Sequence, residues 1–215
     1  MIPLMHDFTG ETVLVFGGGP VGARKARRFD REAEVVVVSP DFADTDFGGA
    51  ERVREAPDAD DAAAWIDRTD PALVVAATND ATLNEAVAAS AREHGALVNR
   101  ADVDGDRDAG SVVVPATIRD DPVTVAVATG GTSPALSKHL RERLEAEIDG
   151  AGELATLTGE LRRSLKERGV PPSERRDALR AAVRSRRVWK ALDSPGSKTS
   201  QVVTDVIDEH TGDLS

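Results

Sequence analysis

Cysteine is missing from the 215 residues, which excludes a disulfide framework, a thiolate metal site and a cysteine nucleophile. Tyrosine is missing as well, and aromatic residues make up only 3% of the chain, so an aromatic stacking platform for nucleic-acid bases is not expected. Lysine is scarce beside arginine, and the formal net charge is −11. That sign argues against nucleic acid as a partner, because phosphate binding needs a basic surface. No apolar run approaches the length of a membrane span, and Met1–Asp7 has no basic segment followed by an apolar core. The expectation is a soluble cytoplasmic protein with no membrane partner. The histidines, His6, His94, His139 and His210, stand apart without H-E-x-x-H or paired spacing, so no permanent metal site is expected. The acid itself gathers in loops such as Asp102–Asp108. With arginine preferred over lysine, this pattern is typical of halophilic proteins and reads as adaptation to solvent.

What the chain does have is Thr12-Val13-Leu14-Val15-Phe16 running into Gly17-Gly18-Gly19-Pro20-Val21-Gly22. The apolar run without helical spacing predicts a buried strand, and Ala23–Phe29 is rich in helix formers. Gly17, Gly19 and Gly22 keep the G-x-G-x-x-G spacing of a dinucleotide-binding turn. In that reading Gly17 makes the turn, Gly19 lets a pyrophosphate approach the backbone, and Gly22 lets the helix pack on the strand. The helix N-terminus then faces the phosphates. The turn from Gly17 to Gly22, with Gly18, Pro20 and Val21 inside it, is the expected cofactor cradle.

The next elements alternate. Glu34–Ser39 is a β-branched run closed by Pro40, and its end is where an NAD enzyme meets the adenosine ribose. Ser39 holds that place, with Asp41 beyond it, and no arginine stands out for a 2′-phosphate, so NAD is the expected cofactor. A short strand is expected around Arg52–Arg54 and a short helix over Ala59–Ile66. Pro71–Asp80 reads as a further strand delivering Thr78 and Asn79 to the cofactor side, with Asp80 also suited to cap a helix over Ala81–His94. That helix closes on Gly95, which explains His94 as a cation at a negative helix end. Ala96–Asn99 then carries Asn99, Arg100 and Asp102 to the same sheet edge. Alternation of this kind predicts an α/β fold with a doubly wound, Rossmann-type parallel sheet.

From Ser111 the pattern changes. Ser111–Ile118 and Val123–Ala128 flank the polar turn Arg119–Pro122 and predict a hairpin. Thr129-Gly130-Gly131-Thr132-Ser133-Pro134 follows, with Ser133 as N-cap and Pro134 as first helical residue. Leu136, Leu140, Leu144 and Ile148 mark an apolar helix face. The remainder is helical, broken at Gly169–Pro172 and at Asp193–Ser197, with a last helix over Lys198–His210. The leader Ile2–Met5 is expected to pack against the sheet edge.

Four stretches give this chain a family likeness: Val15–Lys25, Ala76-Ala77-Thr78-Asn79-Asp80, Val98-Asn99-Arg100-Ala101-Asp102 and Thr129–Leu136. In that order the chain resembles the precorrin-2 dehydrogenase family, which includes the N-terminal module of sirohaem synthases and a stand-alone dehydrogenase–ferrochelatase. The resemblance implies NAD-dependent oxidation of precorrin-2 to sirohydrochlorin, in some members with insertion of ferrous iron as a substrate. It also implies an intertwined homodimer formed through the hairpin and its following helix. The organisation expected is a Rossmann domain over 1–110, a dimerisation region over 111–149 and a helical domain over 150–215, in the stand-alone form without a methyltransferase module. The family's catalytic aspartate matches Asp102, where relatives often carry Val-Val before it and this chain has Arg100-Ala101.

Desaturating a tetrapyrrole removes a hydride and a proton, so it calls for a nicotinamide and a base. A carboxylate at a strand end serves if partial burial raises its pKa. Such a tetrapyrrole carries many carboxylates, and an acidic protein must hold it with local positive potential. Candidates are the turn Thr129, Gly130, Gly131, Thr132 and Ser133 at a helix N-terminus, together with Lys138 and Arg100. The alternative in another class is a nonenzymatic NAD-sensing module, against which the second anion site speaks.

Overall fold

The computed structural model describes residues 2–103, 110–194 and 198–211. The contact pattern divides the chain into two units, one up to Val114 with Gly130–Thr132, the other Pro115–Thr129 with Ser133 onward.

The first unit is built on five parallel strands: β1 (Thr12–Phe16), β2 (Glu34–Ser39), β3 (Glu51–Arg54), β4 (Leu73–Ala76) and β5 (Leu97–Arg100). Their spatial order is β3-β2-β1-β4-β5. Helices α1 (Pro20–Phe29), α2 (Asp61–Thr69) and α3 (Ala81–His94) make the crossovers. This is a Rossmann order, in which strand order reverses beside β1 and ligands bind beyond the carboxyl ends of the strands. Both faces of the sheet are covered, which is why β4 and the interiors of β1 and β2 are apolar rather than alternating. Leu14, Phe16, Val74 and Val98 pack under α2 and α3 with Trp65, Ile66 and Val87. Val13, Val15, Val37 and Val75 pack on the other face against Ala23, Ala26 and Phe47.

The leader does not pack as expected. Ile2, Leu4 and Met5 are exposed, and the N-terminal segment is tied down instead by Phe8, whose ring meets Phe29 edge-on at 5.5 Å. Helix α2 begins and ends slightly later than the sequence suggests. Asp80 caps α3 as read, its Oδ1 accepting from the N–H groups of Thr82 (2.8 Å) and Leu83 (3.2 Å). The far end of α3 closes on Gly95 at φ 89°, and His94 also reaches across to Asp70 on its Nε2 side at 2.9 Å and Asp67 on its Nδ1 side at 3.4 Å.

The second unit opens with an antiparallel hairpin of β6 (Ala116–Asp120) and β7 (Val123–Val127). The expected strand from Ser111 starts five residues later. Ser111 makes only a single parallel bridge to Val98, and Pro115 has no N–H to give a ladder. Five helices follow: α4 (Pro134–Glu147), α5 (Ala151–Glu167), α6 (Pro172–Arg184), α7 (Arg186–Leu192) and α8 (Thr199–Thr211). Leu154, Leu165, Val188, Val203 and Ile207 form their core. Asp120 accepts from the Gly152 N–H at 2.8 Å, which ties the hairpin to the start of α5. Helix α4 has the cap predicted for it, Ser133 Oγ accepting from Leu136 N–H at 3.3 Å, but it contributes no buried residue to the unit.

Candidate active site

Along the carboxyl edge of the five-stranded sheet, each strand end delivers something different. β1 ends in the glycine turn. Gly17 sits at φ +117°, and a Cβ there would come within 2.4 Å of the Ala77 carbonyl oxygen. At Gly22 a Cβ would meet the Gly17 carbonyl at 1.9 Å, and at Gly18 it would meet the Asp41 carbonyl at 2.2 Å. The protein's own packing therefore demands glycine at these three positions. Gly19 is different. Its φ is an ordinary −78° and a Cβ added to it meets nothing within 4 Å. Nothing inside the protein explains a glycine there, whereas a pyrophosphate lying against the backbone does. Gly19 is also the N-cap of α1, with Pro20 in the first turn and no side chain capping the helix, so its backbone donors are left for a ligand. These residues fit a dinucleotide.

β2 ends in Ser39, which is buried beside Gly18. The register of β2 and β3 pairs Ser39 with Arg54, a neighbour that sequence distance conceals. Arg54 donates from Nη1 to the Asp41 carboxylate at 3.2 Å and to the Pro40 carbonyl at 3.3 Å. An arginine thus does stand beside the ribose position, with an acid already paired to it.

β4 ends in Thr78 and Asn79. The Thr78 hydroxyl donates to Asn84 Oδ1 at 2.8 Å, and its backbone N–H donates to the same oxygen at 3.2 Å. Asn84 Nδ2 returns a bond to the Thr78 carbonyl at 3.0 Å. Asn84 is fully buried on α3, so it holds the β4 turn in shape from below. Asn79 is exposed.

β5 delivers Asn99, Arg100 and Asp102. Asn99 is buried, with Oδ1 accepting from Lys25 Nζ at 2.7 Å and Nδ2 donating to the Val112 carbonyl at 2.8 Å. Its amide links α1 to the returning chain and brings Lys25 to the site. Arg100 lies against Asp102, its Nη2 at 2.8 Å from Oδ2 and its Nε at 3.2 Å from Oδ1. Its Nη1 donates to Glu85 on α3. Asp102 also receives a hydrogen bond from the Asn84 side chain. The Arg100 guanidinium holds the Asp102 carboxyl below its usual range, and the opposing effect of burial is smaller. The expected rise through burial is therefore reversed: hydrogen bonding to the charged form outweighs desolvation, and the group is a carboxylate at neutral pH. The pair raises the Arg100 pKa as well.

Gly17–Gly22, Ser39, Thr78, Asn79, Asn99, Arg100 and Asp102 accordingly share one sheet edge. Gly130, Gly131 and Thr132 count with the same unit, both glycines at positive φ. Thr129, Ser133 and Lys138 belong to the second unit. There the Thr129 hydroxyl bonds Ser137 at 2.9 Å, and Lys138 is largely exposed, 3.9 Å from Glu142. Asp104, Asp106 and Asp108 lie outside the described residues. Lys25, Asn84 and Glu85 were not singled out from sequence, since their roles come from contacts across the fold.

A family model described as putative NAD(P)-binding matches residues 4–116, more than half of the chain. The precorrin-2 dehydrogenase of Methanosarcina barkeri is 31% identical over 207 residues, covering 93% of this chain and 90% of that protein. The chain belongs to the precorrin-2 dehydrogenase family. A second model, described as the central part of a sirohaem biosynthesis protein, matches residues 120–147. The siroheme synthase of Azotobacter vinelandii is 37% identical over 169 residues, which is 77% of this chain and 35% of that longer enzyme. The family fold is seen in the solved structure of SirC, a precorrin-2 dehydrogenase, with a TM-score of 0.70 at 24% identity over 97% of this chain and 100% of that one. Among the described residues no helix is long and apolar enough to cross a membrane.

Proposed function

We propose that this protein oxidises precorrin-2 to sirohydrochlorin in siroheme biosynthesis, with NAD as the oxidant. The observation that carries this is one sheet edge presenting both a glycine turn left open at Gly19 and a carboxylate kept ionised at Asp102. Bound NAD supplies the hydride acceptor. Gly17–Gly22 hold its pyrophosphate, Ser39 and Asp41 lie at its adenosine ribose, and Thr78, Asn79 and Asn99 line the edge that leads toward Asp102. NAD rather than NADP is favoured because Asp41 already offsets the charge of Arg54.

Removal of a hydride leaves the macrocycle cationic and its neighbouring proton acidic. A carboxylate of low basicity then suffices to take that proton, and it also offsets the developing positive charge. Asp102 fills both roles. The turn Thr129–Ser133 and Lys138 hold substrate carboxylates. The protein acts as a homodimer through the hairpin and α4, a reading supported by a helix whose Leu140, Leu144 and Ile148 are only half-buried and whose Leu136 is 47% exposed.

Reduced nicotinamide formed from precorrin-2 with NAD and with NADP in parallel tests the proposal. Turnover should be faster with NAD, and Asp102→Asn should lower it about 100-fold or more while cofactor binding stays. No reduced nicotinamide from the wild type would refute the activity, and full turnover in Asp102→Asn would remove that residue from the reaction.

A further inference from the structure

Arg100 ends β5 with a side chain only 14% exposed, although it stands beside a site meant for an anionic substrate. Its fork is spent on two carboxylates. The Nε and Nη2 edge meets both oxygens of Asp102, and Nη1 turns to Glu85. Glu85 comes from the first turns of α3, next to Asn84, which bonds the same Asp102. Arg100 and Asn84, from two elements, therefore bear on one carboxylate whose side chain is 23% exposed, and Glu85 holds the arginine from behind. A guanidinium is planar and permanently charged, so side-on pairing sets the plane of its partner as well as its charge.

We infer that Arg100, anchored by Glu85, is a positioning residue for the dehydrogenation: it fixes the orientation and ionisation of Asp102 and does not itself contact the substrate. This rests on the reading of Asp102 as the proton acceptor. The groups that act on Asp102 are the charged Arg100 from β5 and the neutral Asn84 from α3, and Glu85 from α3 meets Arg100 from behind. Glu85 balances the arginine's second edge, so the cluster carries a net negative charge and offers no free cation to a substrate carboxylate. With Arg100 gone, the partial burial of Asp102 would be opposed only by the bond from Asn84 and by its own backbone, so its protonated form would gain.

The test compares the pH profile of kcat/KM for precorrin-2 in the full-length wild type, Arg100→Gln and Arg100→Lys, with Asp102→Asn alongside. Arg100→Gln should move the acid limb up by about one pH unit or more and lower kcat about tenfold, with KM for NAD changed less than about twofold. Arg100→Lys restores the charge without the fork, so it should return the acid limb toward that of the wild type and recover only part of kcat. A wild-type kcat and acid limb in Arg100→Gln, or equal damage in both variants, overturns the inference. Should Arg100→Gln fail to fold, Arg100→Lys decides alone: a wild-type kcat refutes the role of the fork, and a reduced kcat with an unmoved acid limb supports it. Asp102→Asn at the wild-type rate would instead sink the underlying reading of Asp102.

Discussion

Alanine at Gly19 would place one methyl group where the protein has nothing within 4 Å. At φ −78° the backbone accepts an L side chain without strain. As an N-cap, alanine is poorer than glycine by up to about 1 kcal/mol, while the less flexible unfolded chain returns about 0.4–1 kcal/mol. The two offset each other, so stability should change by less than about 1 kcal/mol. Cofactor binding has no such compensation. A methyl inside the contact shell of the pyrophosphate acts as overpacking, at about 1–3 kcal/mol, which is roughly 5- to 150-fold in Kd. Calorimetric titration with NAD, beside thermal melts of the apoprotein, reads both quantities. Gly17→Ala is the contrasting control: positive φ and the 2.4 Å approach to Ala77 make it a folding defect first. Unchanged NAD affinity in a well-folded Gly19→Ala would refute the placing of the pyrophosphate on this turn.

Two further outcomes follow from the sheet edge and its flank. Asn84→Ala leaves the half-buried Thr78 N–H and carbonyl without their Asn84 partner, which should cost about 1–3 kcal/mol in chemical denaturation; a loss below about 0.5 kcal/mol would contradict the role given to Asn84. His94 has its pKa raised, chiefly by its hydrogen bond to Asp70 and then by Asp67. Its stabilisation is complete below the unfolded-state value and fades as pH rises through the folded one. The melting advantage of wild type over His94→Gln should therefore be larger at about pH 5.5 than at about pH 8.5, and an equal advantage at both would exclude protonation as its source.

The order of strands and helices in the first unit was legible because burial on both faces writes itself as β-branched runs, as in Val35–Val38, and because Asp80, Ser133 and Gly95 mark helix ends with local chemistry. Hydrophobicity alone misled at the leader, where Ile2, Leu4 and Met5 have no surface to cover while Phe8 finds Phe29. It misled again at Ser111–Pro115, where valines suggested a ladder that needs a partner strand and an N–H at Pro115. Apolar spacing on α4 was real, but spacing does not say how fully a face is covered: against the hairpin Leu140, Leu144 and Ile148 are only half-buried, and Leu136 stays exposed.

The site divides along the same line. Gly17, Gly19 and Gly22 could be read because three glycines at fixed spacing are a backbone requirement, and backbone requirements are local. What each glycine answers to was not local: Gly17 answers to Ala77, Gly18 to Asp41 and Gly22 to Gly17, while Gly19 alone answers to nothing in the chain. Asp102 could be matched to its position, yet its chemistry was misjudged, because burial was weighed without the arginine two residues before it. Arg100 and Asp102 stand two residues apart with opposite charge, so they carried a readable signal for an ion pair. Glu85, Asn84 and Lys25 carried none, since their partners lie across the fold: Glu85 bonds Arg100, Asn84 bonds Thr78 and Lys25 bonds Asn99. The environment of Asp102 thus depends on contacts from α3 as well as from its own strand. Substitution of Glu85 on α3, which leaves the glycine turn untouched, should consequently lower kcat for precorrin-2 before it alters the Kd for NAD in calorimetric titration.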